Sequence, residues 1–190
     1  MDEGFSSTEG GIIDGITMEE LKGKRIAILV AEGFEDLEFF YPLLRFTEAG
    51  AEVTAAGITM DEMKGKHGME FTPSKTVKDI SVGDFDCVII PGGSAPKRLR
   101  ESEEVLNLVK RSVDDGRVVA AICHGPQVLV SAGLVKGRKL TAYRAVKDEI
   151  VEAGGLFNNV EVQRDKNLIT SRFPEDLPAF CKAIIKALTS

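Results

Sequence analysis

The 190-residue chain is short of basic residues: Lys and Arg total 24 against 30 Asp and Glu, for a net charge of −6. Binding to a phosphate backbone needs a basic face, so this balance argues against a nucleic-acid partner. No apolar run approaches the roughly 20 residues that cross a bilayer, so no membrane partner is expected. Met1–Thr17 has neither the basic start nor the apolar stretch of a secretory signal. Cysteine is scarce as well. Cys87, Cys123 and Cys181 are odd in number and far apart, which excludes a disulfide framework and a zinc motif. The expected compartment is the reducing cytoplasm, with neither metal nor cofactor. No internal repeat breaks the chain into arrays.

What is present suits one globular domain: 43% hydrophobic and 28% charged residues, in a length that supports a full core without staples. Residues 1–22 are Gly-, Ser- and acid-rich, with Ile12, Ile13 and Ile16 as their apolar anchors. They read as a flexible extension with one docked turn around Met18–Leu21. Residues 23–190 form the domain. Arg25–Ala31, Asp86–Pro91 and Val118–Ile122 are short, apolar and bounded by turn residues, as buried parallel strands are. Ala51–Gly57 is a further strand and Leu140–Ala142 a short one.

Helices alternate with these strands. The first carries Leu37, Phe40, Tyr41 and Leu44 at core spacing, with Pro42 predicting a kink or a late start. Ser102 caps a second, closed by Gly116. A third runs from about Pro126 to Ala132 and a fourth from Val146 to Ala153. The last presents Leu177, Phe180, Cys181, Ile184, Ile185 and Leu188 on one face. Val160–Gln163 and Leu168–Ser171 read as a hairpin, and Thr59–Thr72 as a loop with a β excursion at Met69–Phe71. The alternation predicts an α/β fold: a doubly wound, mostly parallel sheet with helices on both faces, a flavodoxin-like three-layer sandwich.

In such sheets, ligands gather at the carboxyl ends of the central strands. Three features meet there: Glu32–Asp36, Pro91-Gly92-Gly93 and Cys123-His124-Gly125-Pro126. The small residues around Cys123 allow a sharp strand-to-helix turn that lifts a nucleophile into the open. A helix N-terminus behind Cys123 is expected to favour the thiolate. Backbone N–H groups near Gly93 and His124 can converge on an oxyanion. Each feature also has a plain reading. A lone cysteine is usually a small buried hydrophobe, which is the reading for Cys87 and Cys181. The acids at 32–38 are a solvated helix start, and Lys97, Arg98 and Arg100 a solvated face.

Ala121-Ile-Cys-His-Gly-Pro-Gln127, with the run Ser131–Tyr143 behind it, closely resembles the PfpI family of intracellular proteases. That family lies in the class I glutamine amidotransferase-like superfamily, beside protein deglycases and glyoxalases. Glu32–Asp36, Gly65–Gly68, Pro91–Gly93, Val146–Asp148 and Thr170–Leu177 also match, so the likeness runs from Lys24 to the C-terminus. The resemblance implies Cys123 as nucleophile, Glu35 protonated beside its sulfur, and His124 as general acid/base. It places the oxyanion and substrate-binding groups at Gly92 and Gly93, with Tyr143 lining the pocket. One position departs from the pattern. Where the proteases carry an acid that orients the histidine, this chain has Lys97, which cannot accept the imidazole N–H but can lower the thiolate pKa or bind a substrate anion. Arg144 stands where proline is common.

The resemblance therefore implies a cysteine hydrolase acting on a small carbonyl or peptide substrate, and a homo-oligomer, a dimer or larger. Its peptidase label competes with a glyoxalase or deglycase acting on α-oxoaldehydes or glycated adducts, and with a redox-sensing stress protein without turnover. The lack of any histidine after His124 argues against a glutaminase, which needs a His-x-Glu pair late in the chain.

Overall fold

The computed structural model describes residues 19–190. Most of the expected extension, residues 1–18, lies outside them. Of the expected docked turn, the part described is real: Leu21 is fully buried, and its N–H donates to the Ala49 carbonyl at 2.8 Å.

Eleven strands and six α-helices follow in the described residues. In chain order they are β1 (Arg25–Val30), α1 (Asp36–Glu48), β2 (Glu52–Gly57), β3 (Met63–Lys64), β4 (Glu70–Phe71), β5 (Lys75–Thr76), β6 (Cys87–Ile90), α2 (Ala95–Leu99), α3 (Glu103–Asp114), β7 (Val118–Ile122), α4 (Pro126–Ser131), β8 (Lys139–Leu140), α5 (Lys147–Glu152), β9 (Leu156–Phe157), β10 (Val162–Asp165), β11 (Leu168–Ser171) and α6 (Leu177–Thr189). Seven strands form one sheet in the order β10-β11-β7-β6-β1-β2-β5, parallel except for the β10–β11 hairpin. This is the expected doubly wound α/β sheet. Its centre is closed to solvent: every residue of β6, β7 and β11 is buried. Helix α6 packs on α1 and on β7, β10 and β11, while α3 packs on β6 and β7 with α4 beside it.

The chain winds outward from β1 through β2 to β5, then returns to the other side of β1 as β6 and continues to β7. The strand order therefore reverses between β1 and β6. Loops leaving the carboxyl ends of these two strands diverge to opposite sides and leave a crevice, the standard ligand position in open parallel sheets.

Several sequence expectations change here. Helix α1 begins at Asp36 and runs through Pro42 without a late start. Of the expected inward residues Leu37, Phe40, Tyr41 and Leu44, Phe40 alone packs against the core, and it is half-buried. Leu37 and Leu44 are 55% and 67% exposed, whereas Glu38, Phe39, Pro42 and Phe46 are buried. The cap at Glu35 sets the helical phase, and Phe39 locks it by packing against Phe34, Phe40 and Phe71, with centroids 5.0, 5.0 and 4.6 Å away. The apolar run Leu140–Ala142 is a strand only at its start. β8 pairs with β9 in a separate two-stranded ladder outside the main sheet. The hairpin is two residues tighter than expected, with Lys166 at φ 54° in its turn.

Candidate active site

Strand β7 delivers Cys123 to the carboxyl edge of the sheet. Its φ of 62° is one of two positive values among the described non-glycine residues. That left-handed geometry is costly for a side chain with a Cβ and concentrates at functional positions. The corner is held from both sides. Cys123 N–H donates to the Ser171 carbonyl at 3.1 Å, and its own carbonyl accepts from Tyr143 N–H at 3.0 Å. The turn closes when Gly125 N–H donates to the Ile122 carbonyl at 2.8 Å. This is the sharp strand-to-helix turn that the small residues implied.

The carboxyl group beside the sulfur is Glu38, not Glu35. Glu35 caps α1, its Oε2 accepting the Glu38 N–H at 2.9 Å, and its Oε1 lies 3.2 Å from His67 Nε2. Glu38, on the first inward-facing turn, is fully buried, and its Oε2 accepts the Gly92 N–H at 2.8 Å. Its Oε1 is buried without a hydrogen-bond partner, and the Cys123 thiol is the neighbouring acid whose ionisation the carboxyl opposes. Three residues separate a cap from the first inward position, so the two glutamates take different tasks. The solvated-cluster reading also fails for this stretch: Glu35, Asp36 and Glu38 are all buried. Gly92 is required by contact, since a Cβ there would lie 2.5 Å from Glu38 Oε2 and 2.7 Å from Cys123 Cβ.

Burial, then the charge of Glu35, pushes the Glu38 carboxyl up to about 8, so it is neutral at pH 7. Burial, followed by the charge and hydrogen bond of Glu38, pushes the Cys123 thiol up; backbone N–H groups of His124 and Gly93 pull it down. The expected net lowering by a helix N-terminus is therefore not found. α4 is six residues long, and burial outweighs the backbone donors. The two acids compete for one negative charge. While Glu38 keeps its proton, the charge opposing the thiolate is gone and an O–H donor faces the sulfur.

His124 Nδ1 lies 3.3 Å from Cys123 Sγ, and the ring sits 5.0 Å from that of Tyr143, tilted by 36°. Burial, then the ammonium groups of Lys66 and Lys97, hold His124 below the ordinary imidazole value, so it is neutral at pH 7. Among the described residues no carboxylate bonds to its ring.

These groups open into a cavity of about 510 Å³ lined by Cys123, His124, Glu35, Glu38, Gly93 and Tyr143, and by Lys66, His67, Lys97 and the rim Phe173–Glu175. Gly92, expected among the oxyanion and substrate-binding groups, instead holds Glu38. Lys66 and His67 carried no sequence signal beyond the Gly65–Gly68 match. The buried Asp36 brings them in, accepting His67 N–H at 2.8 Å and Met69 N–H at 2.9 Å, while Lys66 N–H donates to the Phe34 carbonyl at 2.7 Å. A second cavity, of about 560 Å³ at the ends of β1 and β2, contains no cysteine or histidine. Among the described residues no cluster of His, Cys, Asp and Glu could hold a metal ion, and no helix is long and apolar enough to cross a membrane.

The fold and this corner define a class: an α/β protein with a cysteine at a nucleophile elbow, backed by a buried glutamic acid. A profile of the DJ-1/PfpI family matches residues 24–187, and the chain belongs to that family. Deglycase TK1284 of Thermococcus kodakarensis is 40% identical over 164 residues, 86% of this chain and 99% of that one. The Bacillus subtilis protein YraA, named a candidate cysteine protease, is 39% identical over 166 residues, 87% of this chain and 98% of its own. Among solved structures, Drosophila melanogaster DJ-1beta superposes with a TM-score of 0.83 at 30% identity, covering 87% of this chain and 90% of that one. Relatives at this level carry hydrolase names of more than one kind.

Proposed function

We propose that this chain is a cysteine hydrolase of the glyoxalase or deglycase type, acting on α-oxoaldehydes or their adducts through Cys123. The observation that carries the reading is the asymmetry of the site: the sulfur has a neutral buried acid, Glu38, whereas His124 has no acid and two ammonium groups nearby. Cleaving a peptide needs an imidazolium that protonates a poor amine leaving group, and an acid that stabilises this imidazolium. Adding a thiolate to an aldehyde needs neither.

The chain's groups support a balanced sequence. His124 Nδ1 takes the thiol proton, and Sγ adds to the aldehyde carbon while Glu38 donates a hydrogen bond. The carbonyl π pair moves to oxygen, which takes the proton back from His124. The neutral imidazole then removes the hydrogen on C1, and the C2 carbonyl oxygen is protonated, giving an enediol. Reprotonation at C2 with loss of the C1 hydroxyl proton leaves a thioester. Water releases the 2-hydroxy acid and restores the thiol. C1 is oxidised and C2 reduced within one molecule, so no outside redox partner enters.

The test is methylglyoxal consumption with lactate formation, run beside hydrolysis of a fluorogenic peptide. The wild type is expected to convert methylglyoxal and Cys123→Ala to lose the activity. Equal rates for the two proteins, or peptide cleavage as the faster reaction, overturns the reading. The same reading includes a homo-oligomer, a dimer or larger; sedimentation as a monomer would remove that part of it.

A further inference from the structure

We propose that the catalytic cavity selects anionic substrates, namely 2-oxoaldehydes bearing a carboxylate or phosphate, and that Lys66 and Lys97 form the anion-binding side. The proposal rests on the cysteine-hydrolase reading and adds the charge of the substrate to it.

Two separate elements bring the cations to one cavity. Lys97 lies in α2, immediately after the Gly92-Gly93 turn, and Lys66 lies at the tip of the β3–β4 excursion; both line the same space as Cys123. The tip is built for this position. Buried Asp36 accepts two of its backbone N–H groups, and a Cβ on Gly65 would come within 2.5 Å of the Asp36 carboxylate. Among the described residues, neither lysine has a carboxylate within ion-pair distance, although the chain carries more acids than bases. An ammonium group at a cavity wall without a carboxylate partner is free to receive an anionic ligand.

None of the cavity's own carboxyl groups pairs with either lysine. Glu38 is neutral at pH 7, and Glu35 is engaged with His67 and the Glu38 N–H. Glu175, on the rim, is the remaining carboxylate. The charges that act on the His124 ring, next to the sulfur, are those of Lys66 and Lys97. Both cations therefore act on the imidazole that lies 3.3 Å from the sulfur.

The experiment uses two reagent pairs of matched chemistry and different charge. In the first, Cys123 in the full chain is alkylated by iodoacetate and by iodoacetamide, with N-acetylcysteine as reference. Both reagents attack the same thiolate, so their rate ratio cancels any change in thiol ionisation. The iodoacetate preference over the reference is expected to be on the order of tenfold at low salt, and to fall toward unity at high salt. The double variant Lys66→Gln/Lys97→Gln is expected to remove it. Both side chains are exposed, so these substitutions leave the packing intact. In the second pair, kcat/KM for 4,5-dioxopentanoate is compared with that for methylglyoxal. The wild-type ratio is expected to exceed that of the double variant through KM.

A wild-type alkylation preference no greater than the reference, or one that survives the double substitution, overturns the proposal. If neither aldehyde is converted, the cysteine-hydrolase reading falls, and the alkylation ratio still decides whether the cavity selects anions.

Discussion

Replacing Glu38 with glutamine separates what the site costs the fold from what it contributes to chemistry. The side chain keeps its shape, and the amide oxygen can still accept the Gly92 N–H that Glu38 Oε2 receives at 2.8 Å. What disappears is the ionisable proton. The folded value of the Glu38 carboxyl is about 8 against 4.5 for a free glutamate side chain, so between those two pH values the native state holds a proton that the unfolded chain has lost. Stability from this group is fully present below about pH 4.5 and falls by about 1.4 kcal/mol per pH unit as pH rises toward 8. Relative to acid pH, the wild type thus forfeits roughly 3 kcal/mol by pH 7 on this account alone. Glu38→Gln has no such slope.

The assay is urea unfolding of both proteins at intervals from pH 5 to 8. The stability difference should move in favour of the variant as pH rises. His124, whose value is lowered, titrates in both proteins and cancels in the difference. Cys123 does not enter, because its unfolded thiol titrates above this window. Activity should move the other way. An amide cannot supply a carboxyl O–H to the sulfur, and methylglyoxal turnover should fall by about two orders of magnitude or more, the scale of losing one preorganised donor. A stability difference that stays constant across the pH range refutes the claim that Glu38 is buried as a neutral acid.

Three further perturbations follow from the same geometry. Gly92→Ala would push a Cβ to 2.5 Å from Glu38 Oε2, so it should cost about 1–3 kcal/mol in chemical denaturation and abolish turnover; a variant with wild-type kinetics would show that the contact relaxes freely. Asp36→Ala removes the acceptor for His67 and Met69 N–H and should loosen the tip that carries Lys66, seen as new tryptic cleavage at that lysine and a raised KM; resistance equal to wild type would count against the anchor. Intact-mass analysis after mild iodoacetamide should show one modification, at Cys123. Cys123 opens into the cavity, whereas Cys87 and Cys181 are 0% and 1% exposed in the core; early labelling of either contradicts the structure.

Much of the fold was legible because buried strands and capped helices are written locally. Val118–Ile122 is a strand by composition alone, Ser102 accepts the Val105 N–H as an N-cap should, and the six inward residues of α6 fall at the expected spacing. The first helix misled for a definite reason. Its apolar residues are more numerous than its buried positions, so periodicity could select Leu37 and Leu44 as readily as Phe39 and Phe46. Only the cap at Glu35 and the phenylalanine cluster decide the phase. The pairing of β8 with β9 was out of reach because two-residue strands carry almost no periodic signal.

At the site, the sequence by itself indicated the candidate cysteine, its turn and the Gly-Gly loop, because each depends on neighbours in the chain, and the family resemblance added the lysine in place of an acid. Tertiary structure decided which glutamate reaches the sulfur. Glu35 and Glu38 are one helical turn apart and chemically identical, and their roles diverge only when the start of α1 points one at a backbone N–H and buries the other beneath Gly92. Tertiary structure also decided the direction of the Cys123 shift, since burial depends on everything packed around the corner. Lys66 and His67 enter the cavity for the same reason: a buried aspartate some 30 residues earlier in the chain holds their turn over the crevice where the sheet reverses direction.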